Sequence, residues 1–526
     1  MTRRPLGAQI SHMLNERGID VIFGIPGVHN VEMYRGIEEA GITHVLARHE
    51  QGAGFMADGY ARASGKPGVA YVITGPGLCN AMTAMGQAYS DSVPILVISS
   101  CLDETASYKG QLHQMKDQEA AAGTVCDWSH EVYTADAAYQ LIDRAFSEFN
   151  TARPRSKHIQ VPIALAGGEA DAAPAPRIAQ AAQTVDHAKL AEVAALLKEA
   201  QKPLFVFGGG ARGASEAARA LVAKTQSACF LTYAGRGVVD PGYPLNFGST
   251  LARSATEGVF ASADLVIAVG TELSEVDLWR REVGHTCPMV RVDIDPMVLA
   301  DIHRAEVQVL SDAQSFLSAL NEAMDAQTSD WSADEIAKSR AIWRSETDSE
   351  RPGIVAIADA LRAALPEDTM YFSDMTQFAY VSNEVWDMER PGHWHHPSGF
   401  GTLGYALPAA IGGAMARRGL PTVCVAGDYG FQYSIQELGA AVEMKLPIPI
   451  LLWDNAKLKE IEDSMVHSQI APNAVTALNP DFLALAKAYG CHAVEPASLE
   501  ELKAEALKAF DADRPTVIRM TPALTS

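Results

Sequence analysis

The sequence predicts an α/β protein made of three doubly wound domains, each built on a parallel sheet. Three observations carry this. The chain has 526 residues, more than one hydrophobic core organises. Short apolar runs alternate with longer helical stretches in three successive series. Two segments of different composition separate those series.

The first series, residues 1–170, carries the strand candidates DVIFGIPG, THVLARHE, VAYVITGPG, VPILVISS and HIQVPIAL. Interleaved helices force parallel connections, hence a doubly wound sheet. The stretch AGGEADAAPAPRIAQAAQT, residues 166–184, is rich in Ala, Pro and Gln and reads as a linker. A second unit, 185–325, contains PLFVFGGG, ADLVIAVGTE and MVRVDIDP. The polar run DAQTSDWSADEIAKSR reads as a surface connection. A third unit, 350–526, contains TMYFSD, TVCVAGD, PIPILLWDN and PTVIRMTP.

Composition narrows the function classes. Apolar residues are 48% and charged residues 20%, as in globular proteins. With 42 Lys and Arg against 64 Asp and Glu, the net charge is −22, which argues against nucleic acid as a partner. Seven scattered cysteines without a CxxC pair fit reduced thiols. The N-terminal stretch is interrupted by Asn, Glu and Arg, and no run of ~18 apolar residues occurs, so neither a signal peptide nor a membrane span is expected. The expected location is the cytoplasm.

The segment from Gly427 to Asn455, GDYGFQYSIQELGAAVEMKLPIPILLWDN, runs from one apolar strand through a helical pattern to the end of a second strand. In a parallel sheet both strand ends lie on the ligand-binding edge, which brings Asp428 and Asn455 together. A carboxylate oxygen and an amide oxygen suit octahedral Mg²⁺. Gly427 and Gly430 allow close approach of a phosphate to the following helix N-terminus. Each fragment alone also reads as an ordinary turn. Likewise Glu50, in THVLARHEQGAGFMADGYARASG, ends an apolar strand and by itself reads as a favourable charge at a helix start.

Together these motifs resemble the thiamine diphosphate (ThDP) enzymes of the acetolactate synthase and 2-oxo-acid decarboxylase type. That family carries a GDG-like start followed by NN after 24 residues, and 24 residues separate Tyr429 from Asp454 here. Tyr429 replaces the usual glycine and Asp454 the first asparagine. HExxAxxxAxGYAR, TGPGLCNAMTAMGQAYSDSVPIL and SGFGTLGYALPAAIGGAMA are similar to further family motifs. The resemblance implies ThDP and Mg²⁺, with Asp428, Asn455 and the Lys457 carbonyl on the metal. It implies that Gly427, Tyr429 and Gln377 lie at the diphosphate. Glu50 is expected to share a proton with the pyrimidine N1′, with Asn80 nearby. By the same resemblance the Gly401 carbonyl meets the 4′-amino group, Leu403 bends the cofactor, and Pro26, Gly27 and Val28 line the pocket floor. His113 or Gln114 supplies a polar group near the reacting carbonyl. Because Glu50 and the metal residues stand on different domains, the resemblance implies self-association, as a homodimer or homotetramer, with the site between subunits.

Two other signals are discounted. GGGARG, Gly208 to Gly213, matches GxGxxG but lacks the acidic residue a dinucleotide ribose needs about 20 residues on. Some relatives carry FAD on the middle domain, but where they show an Arg-Phe-Asp-Asp-Arg-like stretch this chain has TELSE, which argues against FAD. The cluster HWHH, 393–396, reads as a solvated or pocket-lining loop rather than a metal site.

The resemblance leaves two reactions of 2-oxo acids open: non-oxidative decarboxylation, or an acetolactate synthase-like carboligation, a transferase reaction. A relative that binds the cofactor without turnover is a third class, disfavoured by intact Glu50, Asp428 and Asn455. Where acetolactate synthases carry methionine and tryptophan after the metal motif, this chain has Glu460 and Ser464. An ionised Glu460 facing that pocket calls for a cation, with Asp463 on the same helix face. The chain thus resembles 5-guanidino-2-oxopentanoate (2-ketoarginine) decarboxylases. The alternative is that Glu460, Glu462 and Asp463 form a solvated helix start.

Overall fold

The structure, a computed structural model, describes residues 3–107, 109–180 and 185–525. Each strand series forms its own parallel sheet. The N-terminal sheet has the order Thr43–Leu46, Val21–Gly24, Gly68–Val72, Ile95–Cys101, Lys157–Pro162, Ser129–Glu131. The middle sheet has five strands in the order Ala228–Leu231, Pro203–Phe207, Leu265–Val269, Met289–Asp293, Val307–Leu310. The C-terminal sheet runs Trp394–His395, Met370–Ser373, Thr422–Gly427, Pro449–Trp453, Thr516–Met520, His492–Val494. The strands are buried on both faces, which explains their continuous apolar runs.

In every sheet the first strand is followed by a neighbour on one side and then by one on the other. The order therefore reverses between Val21–Gly24 and Gly68–Val72, between Pro203–Phe207 and Leu265–Val269, and between Met370–Ser373 and Thr422–Gly427. Connections diverge at such a reversal and leave a crevice beyond the strands' carboxyl ends. Pro26 and Asn80 flank the first crevice; Gln377 and Asp428 flank the third.

Short edge strands such as Ser129–Glu131, Trp394–His395 and His492–Val494 escape the sequence reading because none has the length or apolar run of a core strand. Two histidines of HWHH are buried rather than solvated and line a cavity: His395 and His396 border it, and His396 Nδ1 lies 2.9 Å from Ser373 Oγ. The start of the expected linker is also part of the fold, since Glu169–Ala170 pairs antiparallel with Arg4–Pro5. Its last residues, 181–184, lie outside the described residues.

The N- and C-terminal domains of one chain share a hydrophobic core. Its centre is the crossing of helix Glu50–Ser64 on helix Ala406–Ala416. Small residues bring the two backbones together: a Cβ on Gly59 would stand 2.0 Å from the Ala409 carbonyl oxygen, and one on Gly412 1.9 Å from that of Met56. A buried ionic cluster adds direction, with Arg62 donating to Asp58 (2.6 Å) and Asp91 (2.7 Å), and the Tyr405 hydroxyl donating to Asp58 (2.7 Å). Among the described residues no helix is long and apolar enough to cross a membrane.

Candidate active site

Glu50 begins a helix whose local signals are strong. His49 caps it, its Nδ1 accepting from Gln51 N (3.1 Å), and Gly65 ends it in the left-handed conformation, φ 71°. The carboxylate thus projects from the first turn at the N-terminal crevice. Asn80 Nδ2 donates to Glu50 Oε2 (2.9 Å), so the expected neighbour orients it. Gly27 N donates to Asn30 Oδ1 (2.7 Å), which holds the Pro26–Val28 turn; Val28 is 68% exposed and open to a ligand or partner.

His113 stands across this crevice with φ 63°, in the left-handed region that β-carbon residues rarely adopt. Its carbonyl packs on Gly75, where a Cβ would be 2.4 Å away. The His113 and His29 rings meet edge to face at 4.9 Å, and the Nδ1 of each is buried without a hydrogen-bond partner among the described residues. Burial, then the His113 imidazole, holds the His29 pKa below its ordinary value. His29 was not singled out from sequence, although it directly follows Val28. Gln114 turns into its own loop, donating to Thr105 O (3.1 Å) and accepting from Gln111 N (3.3 Å). Instead Gln118 is buried in the wall: it accepts from Gly75 N (2.9 Å) and donates to Ser99 Oγ (3.0 Å) and Ser100 O (2.9 Å).

The third crevice gathers the phosphate-side residues. Asp428 opens a helix directly after its strand, and Tyr429 follows in helical conformation. No left-handed backbone is needed there, which is why tyrosine replaces glycine without strain. Asp428 is buried; its Oδ1 accepts from Tyr429 N (2.8 Å) and its Oδ2 from Ala456 N and Asn479 Nδ2, each at 2.7 Å. Asn479 also donates to Asp454 Oδ1 (2.8 Å), and Arg519 Nε to Asp454 Oδ2 (2.7 Å). Burial raises the Asp428 pKa, and the Asp454 charge adds to it. A divalent cation would relieve both effects. Asn455 Oδ1 accepts from Lys457 N (3.1 Å) and its Nδ2 donates to Gln377 Oε1 (3.1 Å). The Lys457 ammonium turns away to Glu462 (2.9 Å), so only its backbone is offered to the site. One carboxylate, one amide and a nearby backbone carbonyl fit the oxygen-rich set that Mg²⁺ takes.

The loop over this edge is anchored to both the N-terminal and the C-terminal domain. Gly399 N donates to Asp91 Oδ1 (2.7 Å), Thr402 Oγ1 to Gln87 Oε1 (2.8 Å), and Gly404 N to Asp374 Oδ2 (2.9 Å). Between these anchors Gly401 adopts φ 66° and Leu403 is half-buried.

Glu460 faces inward from helix Lys459–His467 and meets a cation of its own chain. Arg351 donates Nε to Oε1 and Nη2 to Oε2, both at 2.9 Å, and Gln377 Nε2 donates to Oε1 (2.9 Å). These bonds outweigh burial and hold the Glu460 pKa below its ordinary value. A continuous chain thus runs from Arg351 through Glu460 and Gln377 to Asn455. Asp463 does not join it: it is exposed and pairs with Lys459, and Ser464 is exposed as well.

Three sequence models match in order: "Thiamine pyrophosphate enzyme, N-terminal TPP binding domain" over residues 4–121, the central domain over 190–320, and the "C-terminal TPP binding domain" over 374–520. The chain belongs to the thiamine pyrophosphate enzymes. Within that family it is 41% identical to a Pseudomonas aeruginosa protein named "Probable 2-ketoarginine decarboxylase AruI", over 98% of this chain and 93% of that one. It is 29% identical to the Escherichia coli "Acetolactate synthase isozyme 2 large subunit", over 98% and 95%. A solved structure titled "X-ray structure of a putative thiamin diphosphate-dependent enzyme isolated from Mycobacterium smegmatis" shares the fold, with TM-score 0.83, 22% identity, and coverage of 98% of this chain and 99% of that one. The models for the two TPP binding domains thus flank the one for the central domain. Here a cavity of about 420 Å³ opens at the central sheet's order reversal, lined by Gly209, Gly270 and Thr271, with Arg62 and His395 from the outer domains. It contains none of the residues expected to do chemistry.

Proposed function

We propose that this thiamine pyrophosphate enzyme is a Mg²⁺-dependent, non-oxidative decarboxylase of a 2-oxo acid with a cationic tail, of the kind 5-guanidino-2-oxopentanoate represents. The observation that carries the proposal is the Arg351–Glu460 fork, a carboxylate already shaped to hold a guanidinium beside Gln377 and Asn455. The 41% identity to a protein named for 2-ketoarginine decarboxylation supports the same substrate class.

When bound, ThDP supplies a nucleophilic carbon for the 2-oxo carbonyl and accepts the electron pair left by departing CO₂. The residues do the rest. Asp428, Asn455 and the Lys457 carbonyl would hold a Mg²⁺ ion and with it the diphosphate. Glu50, oriented by Asn80, shares a proton with the pyrimidine nitrogen. Leu403 would pack against the bound cofactor as an apolar wedge, and the Gly401 carbonyl would accept from its 4′-amino group. His113, backed by His29, would hold the proton that replaces CO₂ on the reacting carbon, so that the 2-oxo acid and one proton become aldehyde and CO₂. The substrate guanidinium takes the Glu460 fork, and Arg351 falls back on Glu350, which it already touches at 3.3 Å. FAD is not expected, because TELSE stands where relatives that carry it show an Arg-Phe-Asp-Asp-Arg-like stretch.

Glu50 and Asp428 hold to their own domains in one chain, Glu50 to Asn80 and Asp428 to Ala456 and Asn479. The exposed Val28 and the helix of Glu460, which has no buried residues, leave each half open. Self-association in which one subunit's Glu50 meets the other's Asp428 completes the site. The test incubates the enzyme, ThDP and Mg²⁺ with 2-ketoarginine or pyruvate and measures CO₂, aldehyde and acetolactate. Guanidino-aldehyde from 2-ketoarginine is expected, with Glu460→Gln losing this substrate selectively. Rapid acetolactate formation from pyruvate overturns the decarboxylase reading.

A further inference from the structure

A second cavity, about 350 Å³, opens at the carboxyl edge of the N-terminal sheet, bordered by Thr74 and by residues 102–105 and 115–119. Asp103, Glu104, Asp117, Glu119 and Glu131 line it, against one cation, Lys116. Carboxylates alone on so acidic a chain would be an ordinary solvated surface. The wall, however, includes Gln160, which is 3% exposed. Its Nε2 donates to Glu131 Oε2 (2.6 Å), while its Oε1 is buried without a hydrogen-bond partner among the described residues. An amide carbonyl removed from water and left without a donor is costly. It marks a place where a ligand's N–H or O–H belongs.

The carboxylates are distributed around the cavity rather than focused. Among the described residues no three His, Cys, Asp or Glu side chains converge to hold a metal ion, whereas Ca²⁺ or Mg²⁺ needs several oxygens within 2.0–2.6 Å of one point. The backbone partners do not exhaust them. Asp103 Oδ1 accepts from Ala164 N (2.8 Å), Glu104 Oε1 from Ala106 N (2.6 Å) and Ser107 N (3.4 Å), Asp117 Oδ1 from Ala120 N (2.9 Å), and Glu119 Oε2 from Glu131 N (3.2 Å), and His130 Nδ1 lies 3.4 Å from Glu119 Oε1. A carboxylate has about four lone-pair sites, so each retains acceptor capacity.

We infer that this cavity binds an extended organic cation with several N–H donors, an alkylguanidinium or alkyldiammonium, through Glu104, Glu119 and Glu131 and the Gln160 carbonyl. Such a ligand spans separated carboxylates as no single ion does, and its donor completes the orphan amide. The site is distinct from Glu460, which lies on the C-terminal domain, and the inference does not rest on the decarboxylase reading.

Calorimetric titration of the cofactor-free, full-length protein tests it, using agmatine, putrescine and Mg²⁺ as probes. Agmatine or putrescine is expected to bind, more weakly as salt is raised. Affinity should fall roughly tenfold or more in Glu104→Gln and in Glu119→Gln, since a charge-assisted hydrogen bond is lost. Glu104 is exposed, so its variant removes charge without threatening the fold. Glu460→Gln removes only what the substrate fork binds, so the agmatine affinity that Glu104→Gln and Glu119→Gln lose should persist in it, which separates the two sites. No binding, equal affinity in Glu104→Gln and Glu119→Gln, loss confined to Glu460→Gln, or Mg²⁺ binding that displaces agmatine stoichiometrically would each overturn the inference.

Discussion

Glu437 offers a sharp test of how the C-terminal domain supports Glu50 within one chain. Its side chain is wholly buried, and both carboxylate oxygens accept from Arg48 N, at 3.1 and 3.0 Å, two residues before Glu50. Burial pushes its pKa from 4.5 up to about 7, opposed by the Arg48 and His49 amides and assisted by the Glu50 charge. A carboxyl raised in the folded state binds a proton that the unfolded chain has already released. The folded form is therefore favoured at low pH, and that advantage is lost as pH climbs from 4.5 through 7. Between pH 5.5 and 8.5 the loss amounts to about 2 kcal/mol. Glu437→Gln keeps the acceptor and removes the titration. The variant's melting temperature, relative to the unaltered protein, should rise by about 2 °C across that pH range, given the unfolding entropy of a chain this size. Differential scanning fluorimetry of both proteins in matched buffers reads the difference directly. A gap that stays constant with pH would show that Glu437 does not titrate there and would refute the reasoning.

Other expectations follow from the same geometry. Glu50→Gln should bind ThDP, followed by tryptophan fluorescence, yet release CO₂ about 10²–10⁴-fold more slowly; near-normal turnover would overturn its assigned role. Asp428→Ala removes the acceptor for Ala456 N and Asn479 together with the metal carboxylate, so Mg²⁺-dependent ThDP binding should weaken by about a hundredfold or more, as should wild-type binding after chelation. Unchanged binding would remove Asp428 from the metal. Gly412→Ala places a methyl 1.9 Å from the Met56 carbonyl oxygen, and the helix crossing must yield, at a cost of about 1–3 kcal/mol. An unshifted unfolding midpoint would mean that this crossing is looser than the structure has it.

Much of the site is legible because its residues sit where strands end. Asp428, Asn455 and Glu50 each follow an apolar run, and a parallel sheet delivers such positions to one edge whatever lies between them. Asn80 and Gln377 are found by their motifs and do meet Glu50 and Asn455. Other participants leave no such trace. Asn479 bridges Asp428 and Asp454 from an irregular segment. Arg351 reaches Glu460 from the end of the long helix Ala333–Glu350, in a region that reads only as polar. Gln118, not Gln114, holds Gly75, because Gln114 is spent on the backbone of Thr105 and Gln111.

By itself the sequence determined three parallel sheets, the edge on which each presents its ligands, and the strand-end carboxylates and amides that stand there. Those follow from local causes: apolar runs, glycines and caps act over a few residues. Only the tertiary structure decided that Glu460 already grips a guanidinium, that His29 faces His113, and that Glu437 underpins the turn before Glu50. The reason is physical: a side chain's partner is chosen by packing between segments far apart in the chain, and no periodicity records that choice.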